Sequence, residues 1–156
     1  MTDTLYDPRG FAVDCWIETA EGPVIMHETP GKGFAAMTRM SDGRLGFRQL
    51  MKVVKAGPVP LVRVRLDSGH AFVVAHRHPV FRHGMNPVPA EELKPGELLE
   101  TAFHYPAVYL PDAPGAPAAN AVAVHSVEPA GEGEVMTGTI RDTHALFVTA
   151  GVLCGE

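Results

Sequence analysis

The sequence predicts one mostly β domain, built of short antiparallel strands with little helix. Three observations carry this expectation. The 16 glycines and 14 prolines recur throughout the chain and break it into short runs, the punctuation of an all-β fold with turns every ~8–12 residues. Residues 60–66, Pro-Leu-Val-Arg-Val-Arg-Leu, alternate apolar side chains with arginine, so one face of a strand is buried and the other solvated. Asp67-Ser68-Gly69 then separates that run from a second one at residues 70–75, and a glycine that accepts φ > 0 makes this a good hairpin turn.

The other elements follow in order. Asp42-Gly43 is a further hairpin signal. After it Phe47, Leu50, Met51 and Val54 stand at i, i+3, i+4 and i+7, the spacing of an amphipathic helix. Residues 89–93, Pro-Ala-Glu-Glu-Leu, read as one helical turn closed by Pro95-Gly96. Residues 111–123 are small and proline-rich, and a flexible loop is expected there. Strand-like runs follow at 121–127, 135–140 and 145–153.

Bulk properties narrow the function classes. With 156 residues the chain fits one domain, and it buries roughly two-thirds of its unfolded surface. Net charge is −5 and the basic residues are scattered, so a nucleic-acid partner is not expected. No run approaches the ~18 consecutive apolar residues of a membrane span, and the start has no basic n-region or apolar core of a signal peptide. Two cysteines make no disulfide framework. The expectation is a cytoplasmic monomer.

The residues able to carry chemistry are few. Cys15 and Cys154 are the thiols, and a free cysteine is most often a small buried apolar residue. His70, His76, His78 and His83 form a cluster in sequence, with His76-Arg77-His78 in an H-x-H pattern. On one strand those two imidazoles share a face and can take one metal ion. This is similar to the start of a cupin site, but Arg82 and His83 stand where a carboxylate ligand is wanted.

A longer pattern points elsewhere. Residues 62–81 run strand, Asp-Ser-Gly turn, strand, then His78-Pro79-Val80. After them come Ala90, Leu93 and Gly96, with Glu97 beside the last. Near the start Cys15 is followed by Glu21-Gly22-Pro23 and Pro30-Gly31-Lys32-Gly33. Residues 134–153 close with His144, Phe147, Gly151 and Leu153. Together these resemble the Hint domain of inteins and hedgehog proteins, from about Cys15 to Leu153. The resemblance implies a horseshoe of antiparallel strands with an internal pseudo-twofold, and it puts a strand, not a helix, at residues 47–54. It divides the chain into a short N-terminal segment, 1–14, and a domain, 15–156. It also implies a nucleophile at Cys15 and an assisting histidine at His78, with His144 as the histidine of the closing segment.

Four positions depart from the pattern: Ala75 replaces a threonine, Thr137 an aspartate, and Gly155-Glu156 the terminal His-Asn pair. Asparagine cyclisation, and with it splicing, is therefore not expected. What the resemblance leaves is an N–S acyl shift, with the Cys15 thiol attacking the Asp14 carbonyl and the N-terminal segment as substrate. No cofactor is expected for that step. Two other readings stay open. The chain ends of a Hint fold converge, so Cys15, Cys154, His78 and His144 would meet as a zinc site or, through the thiols, a redox lock. Alternatively the domain is an inactive scaffold.

Overall fold

The computed structural model describes residues 9–102 and 121–156. Its strands are β1 (Phe11–Ala12), β2 (Trp16–Thr19), β3 (Gly22–Ile25), β4 (Ala35–Arg39), β5 (Leu45–Leu66), β6 (Ala71–Ala75), β7 (Pro79–Arg82), β8 (Asn86–Pro89), β9 (Leu98–Glu100), β10 (Ala121–Ile140), β11 (Ala145–Phe147) and β12 (Leu153–Gly155). They run in the order β11-β12-β7-β9-β10-β1-β6-β5-β4-β2-β3, with β8 on β7, and every pairing between them is antiparallel. The fold is mostly β, as the sequence predicts.

The spine is the pair of long strands β5 and β10, paired from Val124 opposite Leu66 to Ile140 opposite Leu50 through four register shifts. The expected hairpin is present: β5 ends at Leu66, Gly69 takes φ 93° in the turn, and β6 returns with Val62 opposite Val74. The helical turn expected at 89–93 is a 3-10 turn at Ala90–Glu92.

The helical spacing at Phe47, Leu50, Met51 and Val54 is overturned. All four lie in β5. Pairing on both edges explains why: residues 45–49 bond to β4, and from Leu50 onward β5 bonds to β10. Valines at 53, 54, 59, 62 and 64 also favour strand. The apparent stripe is not a buried face, since Leu50 is 2% exposed while Val54 is 57% and Phe47 45% exposed. A bulge at Lys52, φ 55°, lies where the register slips between Thr137 and Thr139. Leu50→Ala is therefore expected to cost about 2–4 kcal/mol, and Val54→Thr to stay within about 0.5 kcal/mol. Urea unfolding of the two variants checks this; equal losses would restore the helical stripe.

Two sequence-drawn boundaries move. Phe11 and Ala12, which the resemblance puts in a leading segment, are 1% and 3% exposed; both pair with β10 and Phe11 also with β6. Of the expected loop at 111–123, residues 121–123 are the start of β10, paired with β9; the rest lies outside the described residues.

One core cluster runs through the molecule, from Phe11 and Ile17 through Val64, Val74 and Val80 to Leu146 and Val152. A smaller one gathers Ala102, Ala145, Phe147 and Leu153. Because β1 lies between β10 and β6 while β12 pairs with β7, the turn joining β6 to β7 has the first strand on one side and the last on the other. His78 is in that turn.

Candidate functional site

His78 follows β6 by three residues, its N–H bonded to Ala75 O at 2.9 Å. Its own carbonyl accepts the Ala90 N–H, also at 2.9 Å, so the 3-10 turn fixes it from below. The side chain is completely buried, with the Phe11 ring 4.4 Å away and tilted 59°. Both ring nitrogens are used. Nδ1 accepts the Gly10 backbone N–H at 2.9 Å. Since Nδ1 accepts, the ring proton of the neutral form is on Nε2, which donates to the Gly155 carbonyl at 2.8 Å. One imidazole thus bridges the Arg9–Gly10 amide at the chain's entry and the Gly155–Glu156 peptide at its exit.

Both contacts demand glycine. Gly10 has φ +130°, and a Cβ there would lie 2.7 Å from Val135 Cβ. At Gly155 a Cβ would meet Pro79 Cγ at 2.7 Å. Burial, with the Arg9 charge adding to it, depresses the His78 pKa to about 4 although the Gly155 carbonyl favours the cation. The ring is neutral at pH 7.

The cysteines are placed differently. Cys15 follows the turn after β1, 6% exposed, and its N–H is bonded to Ala12 O at 2.9 Å. Burial, reinforced by the Asp14 charge, pushes its pKa up to about 12, so it is a thiol at neutral pH and not the thiolate a nucleophile requires. It borders a cleft of about 260 Å³ with Asp14, Trp16, His70 and Thr149. Cys154 in β12 is buried, and burial with the neighbouring Cys15 raises its pKa well above 9.0. Both are free.

His144 lies on the surface with its side chain 64% exposed, Nδ1 at 2.9 Å from Glu156 Oε1. The other Glu156 oxygen accepts the Ile140 N–H at 2.6 Å.

The sequence-derived site is therefore rearranged. The expected meeting of Cys15, Cys154, His78 and His144 is not formed as a ligand set: among the described residues no three His, Cys, Asp or Glu side chains are grouped to hold a metal ion. His78 has no free nitrogen, and His144 turns outward to Glu156. The H-x-H pattern is not a strand face either. His76 and His78 occupy a turn, with His76 paired to Glu91 at 2.9 Å outside and His78 sealed inside.

His78 is bonded to the Arg9–Gly10 amide, where the resemblance leads one to expect it at Asp14–Cys15. Ala75, standing where the resembled pattern has threonine, agrees: its N–H donates to Gly10 O at 2.9 Å. Sequence reasoning missed Gly10. The signal available was the apolar run Phe11-Ala12-Val13 before Cys15, which marks a core strand opening ahead of the cysteine.

No family model and no curated protein matches the chain. Solved structures do. An Ssp DnaB mini-intein variant superposes with a TM-score of 0.75 at 14% identity, covering 94% of this chain and 98% of that one. A bacterial intein-like domain from Clostridium thermocellum gives 0.73 at 16%, covering 95% and 99%. A DnaB intein from Synechocystis sp. PCC 6803 gives 0.72 at 14%, covering 94% and 97%.

The chain has the Hint fold.

Within the Hint fold of this chain, the buried His78 ring is bonded to Gly10 at the entry and to Gly155 at the exit. No helix among the described residues is long and apolar enough to cross a membrane.

Proposed function

We propose that this chain is a Hint scaffold that holds its entry and exit strands together without cutting either, a structural or interaction module of self-processing descent. The chemistry of an acyl shift supplies the test. A thiol that attacks the preceding carbonyl expels its own residue's nitrogen, so the assisting acid must stand at that nitrogen. The nitrogen on His78 belongs to Gly10. That residue has no side chain and hence no nucleophile, and this is the observation that carries the reading. The pKa near 4 of His78 adds to it, since the ring holds no second proton to give at pH 7.

The second reading is thioester-dependent cleavage at Asp14–Cys15. The cleft beside Asp14 and Cys15 favours it by giving a route to that bond. Against it stand the Cys15 N–H, spent on Ala12 O, and a thiol pKa of about 12.

Intact mass of the purified chain, followed for a day at neutral pH with and without dithiothreitol or hydroxylamine, separates the two. The scaffold reading expects an unchanged mass in every sample. Release of residues 1–14, accelerated by thiol and lost in Cys15→Ala, would establish the cleavage reading and overturn the scaffold.

A further inference from the structure

Gly10 could lack a nucleophile simply because its side chain is a hydrogen, with room left beside it. The packing says otherwise. β1 lies against β10 with Ala12 opposite Val135 and Phe11 opposite Met136, and the Val135 side chain points at Gly10. A Cβ at position 10 would come within 2.7 Å of Val135 Cβ, 2.8 Å of its Cγ2 and 3.1 Å of Met136 O. Val135 is 0% exposed and held in the longest strand pair of the molecule, opposite Ala56, so it has nowhere to retreat. The backbone of Gly10 is fixed from two further sides, its N–H on His78 Nδ1 and its carbonyl on the Ala75 N–H, both at 2.9 Å.

Resting on the scaffold reading above, we propose that Val135 is the residue that closes the Arg9–Gly10 site: its isopropyl group occupies the seat a nucleophilic side chain at position 10 would need. The site is therefore shut three times over, by the missing side chain, by the filled seat and by a φ of +130° that side-chain-bearing residues rarely adopt. Replacing Gly10 alone does not reopen it.

The chemistry of reopening balances without a cofactor. In a chain carrying Gly10→Cys, the new thiol adds to the Arg9 carbonyl carbon and the C–N bond to residue 10 breaks. The thiol proton ends on the released amine. Added hydroxylamine then attacks the thioester, releasing residues 1–9 as a hydroxamate and regenerating the thiol.

A thermal-stability cycle tests the seat without any activity. Gly10→Ala is expected to lower Tm by about 10 °C in the native background, and by several degrees less in a Val135→Gly background, where the clash with the valine is gone while the strain of φ +130° and the approach to Met136 O remain. Equal losses in the two backgrounds would overturn the assignment of Val135. Intact mass in hydroxylamine adds the second arm. Gly10→Cys/Val135→Gly is expected to release residues 1–9, while Gly10→Cys alone does not. Release from the single variant, or a folded double variant that stays intact, would overturn the proposal and leave the scaffold reading standing. Cleavage of the unsubstituted chain, by contrast, would overturn the scaffold reading itself.

Discussion

His78→Ala is expected to destabilise the domain by about 3–5 kcal/mol, a large share of the ~5–15 kcal/mol that keeps a domain folded. Two costs add. The Gly10 N–H and the Gly155 carbonyl lose the partner they share, at about 1–3 kcal/mol for each buried group left unpaired. The ring also leaves a void against Phe11. His78→Phe separates these costs, since it restores volume without either hydrogen bond, and it is expected to recover only about 1 kcal/mol. Urea unfolding at pH 7 measures both. Full recovery in the phenylalanine variant would show that the histidine is mere filling.

The same residue makes stability depend on pH, and the sign is fixed by the direction of its pKa. The folded value is about 4 against 6.5 for the free side chain, so between those limits the unfolded chain takes up a proton that the folded one refuses. The contribution is complete above pH 6.5 and is lost as pH falls toward 4. At ~1.4 kcal/mol per pH unit the loss reaches about 3 kcal/mol. In His78→Phe this part of the acid slope is expected to vanish.

The second large effect lies away from the chain ends. Arg39, at the end of β4, and Glu100, at the end of β9, form a buried ion pair at 3.5 Å with side chains 6% and 3% exposed. The guanidinium also donates to the carbonyls of Gly43, Thr101 and Ala102 and sits 5.5 Å above the Phe147 ring. Gly84 N–H donates to the same carboxylate at 3.3 Å. Arg39→Met removes the cation facing Glu100 within the interior and is expected to cost about 3–5 kcal/mol. Arg39→Met/Glu100→Leu is expected to be more stable than Arg39→Met, because the buried charge leaves with its partner. A double variant less stable than the single one would overturn this, and a double variant less stable than the native chain would show that the pair stabilises beyond its desolvation cost.

Much of the fold was legible along the chain. The alternation at residues 60–66, the Asp67-Ser68-Gly69 turn and the Pro89 helical turn are local signals, and local signals survive into the structure. Residues 47–54 misled because a 3.6-residue spacing can arise within a strand whose exposed positions also carry apolar side chains. Their state was decided by partners far away in sequence, β4 on one edge and β10 on the other. The site divided along the same line. His78 stood out in the sequence as part of a pattern, but its partner was misplaced by five residues. No local feature ties Gly10 to a histidine 68 positions on.

The sequence by itself determined a mostly β fold, because periodicity and turn residues are written along the chain, and its resemblance to the Hint domain singled out His78. Only the tertiary structure decided which peptide bonds that histidine touches, that both thiols are buried and that Val135 fills the space beside Gly10. Those are facts of three-dimensional packing: β1, β10 and β12 come from opposite ends of the chain, and their approach to one imidazole is set by the whole sheet, not by any segment of it.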